Sequence, residues 1–163
     1  VNGAGVISAL PGIVPDPDYG NFYSDNTQTV GALTTGQPVT LNQTVAANNF
    51  SIINNSQVTA AADGIYNLQF SIQLVSTNQG GDVEIWLVKN GTPVPESNTL
   101  FHTKNANEAE FAALNYVETL ASGDYLELYW ASNNIDMTLA ASASTMGGPN
   151  IPSVILTIVP VGA

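Results

Sequence analysis

From Tyr66 to Leu74 every even position is apolar, and from Asn67 to Gln73 every odd position is polar. This two-residue alternation predicts a strand with one face in a core and the other outside it. The same period recurs over Asp82–Lys89, with Val83, Ile85 and Leu87 on one face and Glu84, Trp86 and Val88 on the other. Asn90-Gly91 follows directly, a strong hairpin-turn signal, and Pro93 and Pro95 limit the returning chain to an edge or a loop. Leu126, Leu128 and Trp130 predict a third strand facing the core, with Tyr125 and Tyr129 opposite, either side of Glu127. Ile151–Val159 predicts a closing strand that is almost wholly apolar, on both faces, with Pro152 near its start.

Between these segments lie short β-prone pieces: Gln28–Leu33, Val39–Val45, Phe50–Ile53, Gln57–Ala61, Ala112–Leu120 and Ile135–Ala143. Neither register of Ala112–Leu120 gives a clean apolar side. Thr103–Ala113 is the one helix-tolerant stretch, with a strand favoured for its second half. Turn signals at short intervals predict an all-β sandwich or barrel over residues 25–163. Residues 1–24 show no period and are rich in Gly and Pro. They read as an extended N-terminal arm or linker, whose candidate anchors on a neighbouring subunit are Ile7, Leu10, Ile13, Val14, Phe22 and Tyr23.

A strand apolar on both faces needs a cover on its outer side, because monomers rarely expose large contiguous apolar patches. A closed homo-oligomer that buries this sheet face about its axis supplies one. The alternative is a wet, tyrosine-bearing surface with Ile155 and Val159 under the N-terminal arm.

Composition narrows the chemistry. Charged residues make up 9% of the chain, and the net charge is −11. Phosphate contacts need clustered cations, so nucleic acid is excluded as a partner. No apolar run is long enough for a membrane helix, so membrane insertion is not expected. With no cysteine there is neither a disulfide nor a thiolate metal site. His102, the sole histidine, supports neither a nucleophile triad nor a multi-histidine metal centre. Glu108 and Glu110 lie two apart, a weak echo of a glycosidase carboxylate pair. Asp16, Asp18 and Asp25 could offer oxygen to calcium, but their spacing fits no calcium loop. The Gly147-Gly148-Pro149 loop lacks the lysine and following helix of a phosphate cradle. No catalytic residue, cofactor or metal is expected. Trp86 is singled out as a candidate partner or sugar contact.

Taken in order, four motifs resemble the tumour-necrosis-factor/complement-q-like jelly roll over about residues 50–160. They are Gly64-Ile65-Tyr66-x-Leu68-x-Phe70; Val83-x-Ile85-x-Leu87-x-x-Asn90-Gly91; Leu120-x-x-Gly123-Asp124-x-Leu126-x-Leu128; and the final apolar strand. The resemblance implies a two-sheet antiparallel jelly-roll sandwich that forms a compact homotrimer, with strands 64–74, 123–130 and 151–159 in an inner sheet along the threefold axis. Gln69, Ser71, Gln73, Tyr125, Tyr129, Ile155 and Val159 would then face that axis. The last strand departs from the family in lacking its aromatic-Gly pair. The basic and disulfide features of secreted animal members are also missing, which argues against a cytokine or complement role. The Asn/Gln/Thr-rich, charge-poor style is similar to phage structural proteins. It implies a non-enzymatic extracellular virion module, a fibre head or knob mediating adhesion, held to other virion proteins through the N-terminal arm and touching a host glycan or receptor. The alternatives are a capsid decoration protein and a carbohydrate-binding or glycan-active domain.

Overall fold

The computed structural model describes residues 16–161, and within them the chain is all-β with no helix. It is a two-sheet antiparallel jelly-roll sandwich of fourteen strands. In chain order these are β1 (Tyr19–Ser24), β2 (Gln28–Thr29), β3 (Gln37–Pro38), β4 (Gln43–Asn48), β5 (Phe50–Ile53), β6 (Gln57–Ala60) and β7 (Gly64–Ser76). There follow β8 (Gly81–Lys89), β9 (Thr92–Pro93), β10 (Thr99–Thr103), β11 (Ala109–Leu120), β12 (Tyr125–Ser132), β13 (Met137–Leu139) and β14 (Val154–Pro160).

The first sheet runs β11-β7-β14-β1-β4, with β13 continuing the row beside the end of β7 and β2 beside β13. The second runs β10-β8-β12-β6-β5, with β9 on β8 and β3 on β12. The alternation in β7 is realised as expected: Tyr66, Leu68, Phe70, Ile72 and Leu74 are buried. They meet Val83, Ile85 and Leu87 of β8 and Leu126, Leu128 and Trp130 of β12 in one core cluster. Asn90 and Gly91 both take positive φ, which gives the tight hairpin its twist, and Pro93 sits on a strand that pairs only with β8.

One sequence expectation changes here. Residues 19–24 are not part of an arm: β1 is an internal strand between β14 and β4, and Phe22 is buried in the chain's own core. Its partners lie at residues 43–48 and 154–158, so the pairing that makes it a strand is entirely non-local. Ile7, Leu10, Ile13 and Val14 lie outside the described residues. Thr103–Ala113 holds no helix, and its second half is the start of β11, the strand expected there.

Candidate subunit interface

The core takes one face of each sheet. On the first sheet the opposite face is built from alternate residues of five strands. Register fixes its rows. Ala113, Ser71, Ile155 and Tyr23 align across β11, β7, β14 and β1. Asn115, Gln69, Thr157 and Asn21 form the next row, and Val117, Asn67 and Val159 the one after. Phe111 lies opposite Gln73, and Thr119 opposite Ile65.

No carboxylate or ammonium stands in these rows, although the chain carries 13 acidic residues. Seven of the fourteen large hydrophobics exposed among the described residues lie on this one face: Tyr19, Val45, Ile65, Phe111, Val117, Ile155 and Val159. Such a concentration is uncommon on an isolated soluble domain. At one end the face deepens into a groove of 650 Å³, walled by Asn21, Tyr23, Asp25, Thr27, Val45 and Ile155 and by residues 141–143 and 149–152 of the β13–β14 connection; the Asp25 carboxylate is its one charged group. Paired backbone hydrogen bonds between Ser142 and Ile151 pin that connection, and Met146 at its tip is fully exposed.

Of the residues singled out from the sequence, Gln69, Ser71, Gln73, Ile155 and Val159 all stand on this face. Tyr125 and Tyr129 do not. They belong to β12 in the other sheet and face away from it, so the expectation that they line the same axis is corrected. The reason is local cover. The outer side of β12 is closed within the chain: Tyr129 lies opposite Trp86 with ring centroids 5.9 Å apart, and Pro38 of β3 pairs beside it. Glu127, between the tyrosines, is buried and accepts a 2.6 Å hydrogen bond from Ser56 Oγ. Burial first, and then the charges of Glu127 and Tyr125, raises the Tyr129 pKa. Tyr129 is thus covered by packing within the chain, without a partner subunit.

The remaining candidates stay apart. Asp18 accepts from Asn49 (2.7 Å) and from the Tyr66 hydroxyl (2.7 Å), and these two bonds lower its pKa. Asp25 sits past the far end of the six-residue strand β1, about 20 Å away at the usual rise per residue, where Asn42 and Gln43 donate to it. The three aspartates therefore do not converge on a cation, and no group of three metal-binding side chains occurs among the described residues. His102 Nδ1 lies 2.7 Å from Asp82 Oδ1 on an exposed edge, and Asp82 also accepts from Asn133. Glu108 accepts from the Asn105 amides, while Glu110 is exposed at the start of β11. The Gly147-Gly148-Pro149 loop leads into β14, not into a helix.

Sequence reasoning missed Tyr19, Val45, Ile65, Phe111 and Val117 as members of the face. The available signal was the absence of charge at alternate positions of β7, β11 and β14, which becomes readable once the strand register is known.

No protein-family profile and no curated protein matches the chain. Solved structures do. The globular domain of a zebrafish complement 1qA protein superposes with a TM-score of 0.56 at 15% identity, covering 90% of this chain and 98% of that one. The Eiger TNF of S. frugiperda superposes with a TM-score of 0.58 at 9% identity, covering 90% and 94%. The chain thus has the jelly-roll sandwich fold of the complement-1q and tumour-necrosis-factor domains.

Proposed function

We propose that this chain is a non-enzymatic interaction module that works as a homotrimer, with the open face of the first sheet buried between subunits. The observation that carries this reading is a hydrophobic-rich face whose strand rows hold no charge, on a chain of net charge −11; Asp25 in the adjoining groove keeps the amides of Asn42 and Gln43 as partners. Burying the strand rows costs no ion desolvation and removes apolar surface from water. The jelly-roll likeness supports threefold closure. A three-membered ring joins unlike patches of neighbouring subunits, which suits a face whose rows end in a groove at one side and in Phe111 and Val117 at the other.

The finer reading is an extracellular adhesion module of a virion, a fibre head or knob. Its support is compositional: few charges, many Asn, Gln and Thr, and no cysteine. Residues ahead of β1 would make the attachment to the particle, and the second sheet would face outward. Capsid decoration is the alternative within the same class, and it is separated by binding to assembled shells alone.

The cysteine-free background allows a direct test. Ser71→Cys places a unique thiol in the middle of the face, and Ser51→Cys places one on the exposed edge strand β5. At micromolar concentration the thiol at 51 is expected to react with maleimide at the rate of a free thiol, and the thiol at 71 about tenfold or more slowly, a protection worth about 1.4 kcal/mol. Equal rates in a folded protein would refute the buried face.

A further inference from the structure

The second sheet carries a small site on its outer surface. A cavity of 220 Å³ is lined by Glu84, Trp86, Pro93, Val94, Glu96 and Asn98. That is about seven waters' share of liquid volume, room for one small head group. Three elements build it. β8 supplies Glu84 and Trp86, whose side chains share the face away from the core. The turn after Asn90-Gly91 brings back Pro93 and Val94, with Val94 N–H bonded to Leu87 O. Ser97 then anchors the following turn, its hydroxyl accepting from Leu87 N–H and donating to Val94 O. Glu96 in that turn has φ +60°, a conformation that side chains with a Cβ rarely adopt and that often marks a functional position.

The position of Trp86 is also built. Its ring packs against Tyr129 on one side, and a Cβ on Gly36 would lie 2.6 Å from its Cζ2, so only glycine permits the approach. The hydrogen-bonding inventory is lopsided. Asn98 Nδ2 donates to Glu84 Oε2 at 2.7 Å, leaving the rest of the Glu84 carboxylate, the Glu96 carboxylate and Asn98 Oδ1 as acceptors. The chain has two basic residues: Lys89, which is paired with Asp124, and Lys104, which does not line the cavity.

We propose that this cavity binds a donor-rich cationic group, an alkylammonium or guanidinium, with Trp86 as its aromatic wall and Glu84 and Glu96 as its counter-charges. An aromatic wall attracts cations through its quadrupole, and carboxylates hold them by charge-assisted hydrogen bonds. A neutral polyol would find few donors here for its own acceptors. The net charge of −11 steers cations inward. The site lies on the sheet opposite the proposed subunit face, so it does not depend on the oligomer. In a trimer it would be displayed in three copies, which raises avidity for a multivalent surface. The cationic group could come from a free small amine or from a basic side chain on a partner protein.

Tryptophan fluorescence reads the site, because Trp130 is fully buried and Trp86 is not. The chain is titrated with methylguanidinium, choline, a capped Gly-Arg-Gly peptide and methyl glucoside, at constant ionic strength. The expected result is a saturable response to the cations, weakened about tenfold or more in the Glu84→Gln/Glu96→Gln double variant, whose fold is checked by circular dichroism. The signal should be lost in Trp86→Phe. Tighter binding of the peptide than of methylguanidinium would assign the site to a partner's basic side chain; equal binding would assign it to free amines. A saturable response to the neutral glycoside that survives the double substitution would overturn the proposal. So would the lack of any saturable response to the cations.

Discussion

Ile155→Asp places a carboxylate near the centre of the open face of the first sheet. Ile155 keeps 42% of its surface exposed in the single chain. Full burial of an isoleucine side chain is worth about 1.5–3 kcal/mol, so covering the rest contributes about 0.6–1.3 kcal/mol per subunit contact. A desolvated carboxylate without a partner costs about 3 kcal/mol more, and the rows around it offer no cation. Together these weaken each contact by about 4 kcal/mol, close to a thousandfold in dissociation constant. The isolated chain feels the change much less, because the site is on the surface and the strand-propensity penalty is at most about 1 kcal/mol. The assay is sedimentation velocity over a hundredfold concentration range, with circular dichroism and the buried Trp130 signal confirming the fold. Ile53→Asp, on the edge strand of the second sheet, is the control. Folded monomers are expected for Ile155→Asp and an unchanged oligomer for Ile53→Asp. If Ile155→Asp keeps the wild-type assembly at the same midpoint, the face has been misassigned.

Other parts of the structure make independent predictions. Burial, then the hydrogen bond and charge of Asp18 and the charge of Asp63, push the Tyr66 pKa up to about 12. A folded-state pKa above the unfolded one gives stability that is full below pH 10 and lost as pH rises towards 12, on the order of 2–3 kcal/mol. Urea midpoints across that window should fall steeply in the wild type and less in Tyr66→Phe. The lowered pKa values of Asp18 and Asp124 act in the opposite direction, so their contribution is present above the ordinary carboxylate range and disappears as acid protonates the folded state. Asp18→Asn should therefore flatten the acid limb of the stability curve below about pH 4. Asn134 is buried and donates to Ser76 Oγ and Gln79 O while accepting from Asp136 N–H, so Asn134→Ala should cost about 2–3 kcal/mol in denaturant unfolding. Gly36→Ala forces Trp86 to move, and acrylamide quenching of its fluorescence should rise.

The sequence exposed the sandwich because β7, β8 and β12 bury one face each, and a period of two survives wherever one side meets water. It failed where that condition fails. β11 has Ala112, Leu114, Tyr116 and Leu120 turned inward and Phe111 and Val117 turned outward, so both faces read alike and no register stood out. β1 was invisible because Tyr-Gly-Asn-Phe-Tyr-Ser has no clean apolar side, with Gly20, Phe22 and Ser24 turned inward and Tyr19 and Tyr23 outward, and it is held between β14 and β4 from far along the chain. The misplacement of Tyr125 and Tyr129 has a related cause. Apolar residues on both faces of a strand show that something covers them, without saying whether the cover is another subunit or, as here, Trp86 and β3 of the same chain.

Whether three copies close over the open face of the first sheet is decided by native mass measurement. For this chain of 17.0 kDa one dominant species at three times that mass is expected at micromolar concentration, stable to moderate salt because the strand rows of the face hold no ions to pair. A 17.0 kDa monomer that persists at those concentrations would contradict it.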